Sequence, residues 1–161
     1  MKTKLVKSIM APLVVACALI PLFATAIEPR GGTQGGRIQG VWETQITLND
    51  CAGHVIRRFQ GMLTFHQGGT LMDGTTTPPA LRAPGEGVWR HATDNTFAFR
   101  IKAFSFNAQN VFTGWSIIAG ELTVDSTGDA FAGPATVEIY DPNGVLISTL
   151  CAEATGTRFE F

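Results

Sequence analysis

The sequence predicts an all-β protein, an eight-stranded antiparallel up-and-down barrel preceded by a signal peptide and a flexible lead-in. After residue 39, no long stretch has the apolar periodicity of an amphipathic helix. Runs rich in Phe, Val, Ile and Thr alternate instead with Gly, Asn, Asp and Pro, a pattern typical of many short strands. The connections after residue 86 are short, which favours consecutive antiparallel strands. Closure into a barrel would remove both exposed sheet edges.

Residues that favour tight turns separate the predicted strands. Gly68-Gly69 follows the second strand, and Asp141-Pro142-Asn143-Gly144 precedes the last, where Asn-Gly supplies the positive φ values of a tight hairpin. The expected strands are residues 40–48, 54–66, 69–75, 86–92, 95–106, 111–124, 129–140 and 145–160. An eight-stranded barrel has an interior just wide enough for packed side chains or for one small ligand.

The N-terminus has the three-part pattern of a cleavable signal peptide. Three lysines precede an apolar run at residues 9–23, which ends at the small-x-small sequence Ala24-Thr25-Ala26. We therefore predict a signal peptide at 1–26, a flexible lead-in at 27–39 and a barrel domain at 40–161, in a secreted or periplasmic protein. An alternative is a lipoprotein acylated at Cys17, which the apolar residues after that cysteine disfavour.

The charge pattern argues against nucleic acid as a partner. The predicted signal peptide carries three of the 12 basic residues and none of the 13 acidic ones, so the mature chain would be acidic. It has no basic run of the kind that neutralises phosphates. The oligomeric state is left open by the sequence.

Two cysteines, Cys51 and Cys151, would remain after cleavage, and a pair in an oxidising compartment predicts a disulfide. The alternative is a free catalytic thiol, since His54 lies near Cys51 in sequence. The histidines lack the spacing of a metal site, so we expect no metal and no cofactor.

Strand alternation predicts which side chains fill the barrel. Phe97, Phe99 and Ile101 share one face of the fifth strand, and Arg100 and Lys102 occupy the other. Two long cations are less costly to leave in water than to bury, so the apolar face should point inward. On the sixth strand, the apolar face that contains Trp115 is expected to point into the lumen as well. The predicted ligand-lining residues are Trp89, Phe97, Phe99, Ile101 and Trp115. The alternative is that these side chains fill the lumen completely.

Gly40-Val41-Trp42 opens the first strand, and Arg158 lies in the last. This pair of features resembles the calycin or lipocalin pattern, in which Gly-x-Trp at the start of the first strand packs under an arginine from near the chain end. Arginine over tryptophan is a favourable cation–π pair. The strand pattern is also similar to compact helix-free barrels such as allene oxide cyclase or dirigent proteins. These resemblances imply a barrel with a lumen for a small molecule.

The leading functional hypothesis is a barrel that binds a small apolar ligand in its lumen. A second is a cyclase or isomerase that folds a flexible substrate against an apolar wall, with Glu86, His66 or His91 as the acid or base. Whether the protein is an enzyme is left open. A third hypothesis, a small outer-membrane barrel, is suggested by the terminal alternating aromatics of Arg158-Phe159-Glu160-Phe161.

Overall fold

A computed structural model describes residues 37–161, which form eight antiparallel strands. The predicted fold class is confirmed, and every predicted strand is found with ends that differ by at most two residues. No helix in the described part of the chain is long and apolar enough to cross a membrane. The strands are β1 (Gly40–Asn49), β2 (Val55–Phe65), β3 (Thr70–Thr75), β4 (Gly85–Thr93), β5 (Thr96–Phe106), β6 (Phe112–Val124), β7 (Ala130–Tyr140) and β8 (Leu146–Arg158).

The sheet closes on itself. Each strand pairs with the next in sequence, and β1 also pairs with β8, so the order around the barrel follows the chain. Trp42 lies opposite Arg158 at one end of this seam, and Asn49 lies opposite Cys151 at the other. Closure gives every strand two neighbours and satisfies backbone groups that an open sheet would leave unpaired at its edges.

Alternation along β5 places the side chains as the sequence predicts. Phe97, Phe99 and Ile101 are buried, whereas Arg100 and Lys102 are exposed on the outer surface. Because directly paired residues of neighbouring strands share a face, these positions fix the inner face of β4 and β6 as well.

One end of the barrel is filled by packed apolar side chains, and we call it the closed end. Its buried residues are Ile38, Trp42, Phe65, Leu71, Phe97, Leu122, Val124 and Phe131, each at most 3% exposed. Ile38 is completely buried and its carbonyl accepts a hydrogen bond of 2.8 Å from the Trp42 indole. The last residues of the predicted lead-in, 37–39, thus pack against the barrel. The earlier part of the lead-in, the predicted signal peptide and Cys17 lie outside the described residues.

Arg158 covers the closed end in the way the sequence predicts. Its guanidinium carbon lies 4.3 Å from the centroid of the Trp42 ring. The same guanidinium donates hydrogen bonds to three backbone carbonyls, those of Arg37, Gln39 and Gly128. Gly40 has a φ of 122°, and a Cβ at this position would lie 2.9 Å from Arg158 Nη1. The glycine of the Gly-x-Trp sequence therefore makes room for the arginine.

The predicted disulfide is confirmed. Cys51, in the β1–β2 turn, is bonded to Cys151 on β8, and their Cα atoms are 4.9 Å apart. The bond joins positions 100 residues apart in sequence at the barrel end opposite Trp42. Both sulfurs are committed to this bond, so the alternative of a free catalytic thiol at Cys51 is wrong.

Candidate functional site

A cavity of about 430 Å³ occupies the half of the barrel opposite the closed end. The cavity is enclosed by inward-facing side chains of the barrel strands. It opens to solvent next to the β1–β2 turn and the β3–β4 connection, residues 76–84. Leu63 and Phe99 lie at its inner end, next to the packed residues of the closed end. The lumen is thus divided into a solid floor and an open upper chamber.

The wall of the cavity is mainly apolar, and six of the eight strands contribute bulky side chains to it. The inward-facing bulky residues are Ile46, Leu48, Phe59, Leu63, Phe99, Ile101, Ile118, Val137, Ile139 and Leu150. The inward positions of β7 and β8 also include three alanines, Ala135, Ala152 and Ala154. These small side chains leave space in a barrel of a width that larger side chains could fill.

Two of the five predicted ligand-lining residues, Phe99 and Ile101, line the cavity. Phe97 and Trp89 also face inward, but they belong to the closed end. Phe97 is completely buried, and the Trp89 ring meets the Phe97 ring edge-on with centroids 5.9 Å apart. The Trp89 indole donates a hydrogen bond of 3.0 Å to the carbonyl of His66. Phe97 and Trp89 therefore belong to the packed closed end and do not line the cavity.

The prediction for Trp115 is wrong, because this side chain lies on the outer surface. Trp115 pairs with Phe104, while its neighbours Ser116 and Ile118 pair with the inward-facing Ala103 and Ile101. Both faces of β6 carry apolar residues, so alternation alone could not choose between them. The outward tryptophan is accommodated by stacking against the rings of Phe112 and Tyr140 and by the Lys102 ammonium, which lies 4.2 Å from its centroid.

The structure brings none of the three suggested catalytic residues to the cavity. Glu86 is exposed and lies opposite Lys102 on the outer face. His66 is exposed at the β2–β3 turn of the closed end. His91 packs edge-on against Phe97, and its Nε2 is 2.8 Å from the carbonyl oxygen of Asp94. The three suggested acid–base residues therefore lie apart from one another, on the outer surface and at the closed end of the barrel.

Sequence reasoning missed an ion pair in the cavity wall. Arg82 donates two hydrogen bonds of 2.9 Å to the two carboxylate oxygens of Asp73, and the side chains are only 15% and 11% exposed. Alternation from the buried Leu71 could have placed Asp73 on the inner face of β3. Arg82 lies in the irregular β3–β4 connection, where no periodicity indicates where a side chain points.

A second arginine, Arg57, stands at the mouth of the cavity. It pairs with Leu48 and so shares the inner face of the barrel. Its guanidinium carbon lies 4.4 Å from the centroid of the Phe59 ring, and its Nη2 donates a hydrogen bond of 2.7 Å to the Thr77 hydroxyl. The residue is exposed, since the mouth is open to solvent.

Several surface turns hold perturbed carboxylates. Near the mouth, the hydrogen bond to His54 is the main cause of the lowered pKa of Asp50. At the closed end, the Thr127 hydroxyl and three backbone N–H groups lower the pKa of Asp125. These hydrogen bonds stabilise the turns between strands, and neither aspartate lines the cavity.

Groups of three or more metal-ligating side chains are absent from residues 37–161. The sequence matches no family model and no curated protein. Among solved structures, the chain is similar to that of EF1p2_mFAP2b bound to DFHBI, with 18% sequence identity and a TM-score of 0.56. The similarity covers 78% of this chain and 97% of that chain. At this identity the likeness concerns the fold alone, and it agrees with the assignment of this chain as an eight-stranded antiparallel β-barrel.

Proposed function

We propose that this protein is an exported, calycin-like β-barrel that holds a small, largely apolar ligand in its open chamber. The cavity carries the proposal. Its volume of about 430 Å³ falls within the range of small-molecule sites, and its wall is apolar with a few polar groups near the mouth. A chamber of this kind presents apolar surface that gains free energy when a ligand replaces water.

Two further observations support the proposal. EF1p2_mFAP2b, whose structure is similar in fold, is bound to DFHBI, a small molecule. The stacking of Arg158 on Trp42, with Gly40 giving the arginine room, supports the calycin-like part of the proposal.

Export is supported by the disulfide and by the sequence of residues 1–26. A structural disulfide is typical of proteins outside the cytoplasm. We expect a mature N-terminus at Ile27, which intact-mass measurement of the protein from its native host would detect. A diacylated or triacylated Cys17 at the N-terminus would contradict this proposal.

The alternatives receive less support. A cyclase or isomerase would need an acid or base in the chamber, and Glu86, His66 and His91 lie elsewhere. The one carboxylate among the residues that line the chamber, Asp73, accepts hydrogen bonds from Arg82 on both of its oxygens. An outer-membrane barrel would present an apolar band to lipid. Here the outer surface carries the exposed Arg100 and Lys102 in the middle of β5 and the exposed Glu121 on β6.

The binding proposal is tested by filling the chamber. Ala154 faces the cavity from β8, so Ala154→Leu would place three additional carbons in the ligand space. Ala132 is exposed on the outer face of the adjacent β7, and Ala132→Leu is the matched control. We expect the wild type and the control to bind a neutral, environment-sensitive fluorescent probe, and the cavity variant to bind it at least about tenfold more weakly, a loss of about 1.4 kcal/mol.

Urea unfolding of all three proteins shows whether the cavity variant is folded, and Ala135→Leu gives a second test from β7. A wild type that binds no neutral apolar probe would contradict the proposal. Equal affinities of the folded cavity and control variants would do so as well.

A further inference from the structure

The charges of the chamber indicate what kind of ligand it accepts. Of the residues that line it, only Arg57, Asp73 and Arg82 carry a full charge. Asp73 and Arg82 neutralise each other through their two hydrogen bonds. Within residues 37–161, Arg57 forms no salt bridge, so the site as a whole carries one positive charge at its mouth.

The Arg57 side chain is held in place by neutral neighbours. The Phe59 ring packs against its guanidinium, and the Thr77 hydroxyl accepts one of its hydrogen bonds. A guanidinium has five N–H donors in a planar fork, so this contact leaves donors for another acceptor. Because Phe59 lies one inward position deeper on β2, the arginine stands directly above the apolar wall. A molecule whose apolar part fills the chamber would therefore bring its outer end to Arg57.

We infer that the ligand is an amphipathic anion, with its apolar body in the chamber and its acidic head group on Arg57 at the mouth. The inference rests on the proposed function and specifies its ligand class. A carboxylate fits the guanidinium best, because two parallel N–H···O bonds can form between the two planar groups. The aromatic ring and the low-polarity wall beside the arginine reduce its contact with water on one side, which strengthens a charged hydrogen bond.

The nearest alternative anchor is the Asp73–Arg82 pair, which lies deeper in the wall. Both carboxylate oxygens of Asp73 already accept hydrogen bonds from Arg82. A head group could bind Arg82 only by displacing this carboxylate, which would leave a poorly hydrated negative charge without its partner. Arg57 has no such competitor and is therefore the favoured position for the anion.

The test compares two ligands that differ only at the head group. Decanoate and decanol are used, below their aggregation limits, to displace a neutral fluorescent probe at neutral pH. We expect the wild type to bind decanoate about tenfold more tightly than decanol, since 1.4 kcal/mol corresponds to a factor of ten. Arg57→Gln should remove this preference by weakening decanoate alone, so that decanol serves as an internal check that the chamber is intact.

Arg58 provides the matched control. It follows Arg57 on β2, is exposed and pairs with Thr47 on the outer face, so Arg58→Gln removes the same charge from the other side of the strand. We expect this variant to keep the preference for decanoate. The preference of the wild type should also decrease with added salt, because the mouth is open to solvent.

Three outcomes would overturn the inference. Equal affinity of the wild type for decanoate and decanol would show that the mouth does not select an anion. Equal losses in the Arg57 and Arg58 variants would show that overall charge, rather than this position, attracts the anion. Failure of the wild type to bind the probe and both ligands would overturn the proposed function together with the inference, whereas decanol binding without an acid preference would overturn the inference alone.

Discussion

Two phenylalanines on β5 allow the division between solid floor and open chamber to be measured. Phe97 and Phe99 are consecutive inward-facing residues, and both are almost inaccessible to solvent, at 0% and 6%. Phe97 is surrounded by other side chains, including the rings of Trp89 and His91 at centroid distances of 5.9 and 5.4 Å. Phe99 borders the cavity. The same substitution to alanine at each position should therefore have different costs.

The expected costs follow from what surrounds each ring. Phe97→Ala removes apolar contacts and leaves a new void in a packed region, which typically costs roughly 3–5 kcal/mol. Phe99→Ala also loses the free energy of burying a phenyl ring, roughly 1.5–3 kcal/mol, as Phe97→Ala does. The space it vacates joins a cavity that already exists, so the additional cost of creating a void is smaller. We expect Phe97→Ala to be the more destabilising by at least about 1 kcal/mol.

Urea unfolding gives both free energies, and probe binding distinguishes the two positions independently. Enlarging the chamber through Phe99→Ala should change the affinity or the emission maximum of the probe. In folded Phe97→Ala protein, the affinity should be close to that of the wild type because the floor is not in contact with the ligand. Equal destabilisation by the two substitutions, with equal effects on the probe, would refute the division of the lumen described above.

Three other predictions concern the covalent and polar contacts of the barrel. Replacing Cys51 and Cys151 together by serine should lower the free energy of unfolding by up to about 4–5 kcal/mol in urea titrations, because the bond closes a loop of about 100 residues in the unfolded chain; an unchanged value would contradict this. Arg158→Lys should cost about 2–3 kcal/mol in the same assay, because an ammonium cannot reproduce hydrogen bonds to three separate carbonyls, and a loss below 0.5 kcal/mol would count against it. The pKa of Asp125 is lowered in the folded protein, mainly by the Thr127 hydroxyl. The ionised Asp125 carboxylate therefore stabilises the folded state above its ordinary pKa of 3.8, and this stabilisation is lost as the pH falls through the lower pKa of the folded state. Asp125→Asn should therefore make the urea midpoint fall less steeply below about pH 4, and an identical slope in both proteins would refute this.

The strands of the barrel could be predicted from sequence because their signals are local. On β5, apolar residues alternate with two cations, so the pattern identifies both the strand and its inner face. On β6, the same method fails at Trp115, because Trp115 and Ile117 form as apolar a face as Ile118 and Leu122 do. Only pairing with β5 decides between these faces, and pairing is a property of the closed sheet.

In the polar part of the candidate site, alternation could have placed Asp73 on the inner face, but local patterns do not identify Arg82 or Arg57 as residues of the cavity. Asp73 and Arg82 are brought together by the path of the β3–β4 connection, whose residues 76–84 follow no regular period. An arginine such as Arg57 is usually a solvated surface residue, and nothing in its immediate sequence indicates that it faces a cavity. Its inward position follows from the register of β2 against β1, in which Arg57 lies opposite Leu48.

The sequence by itself determined the barrel, its strand order and the disulfide, because these depend on turn residues, on alternation or on a residue type with few possible partners. The arginine that covers the tryptophan at the closed end was predicted from the resemblance of Gly40-Val41-Trp42 and Arg158 to the calycin pattern. The tertiary structure alone decided where the lumen is empty. A void is the difference between the volume a closed sheet encloses and the volume its inward side chains fill. That difference depends on which face of every strand points inward and on how the eight strands are aligned, and no single segment of sequence contains this information.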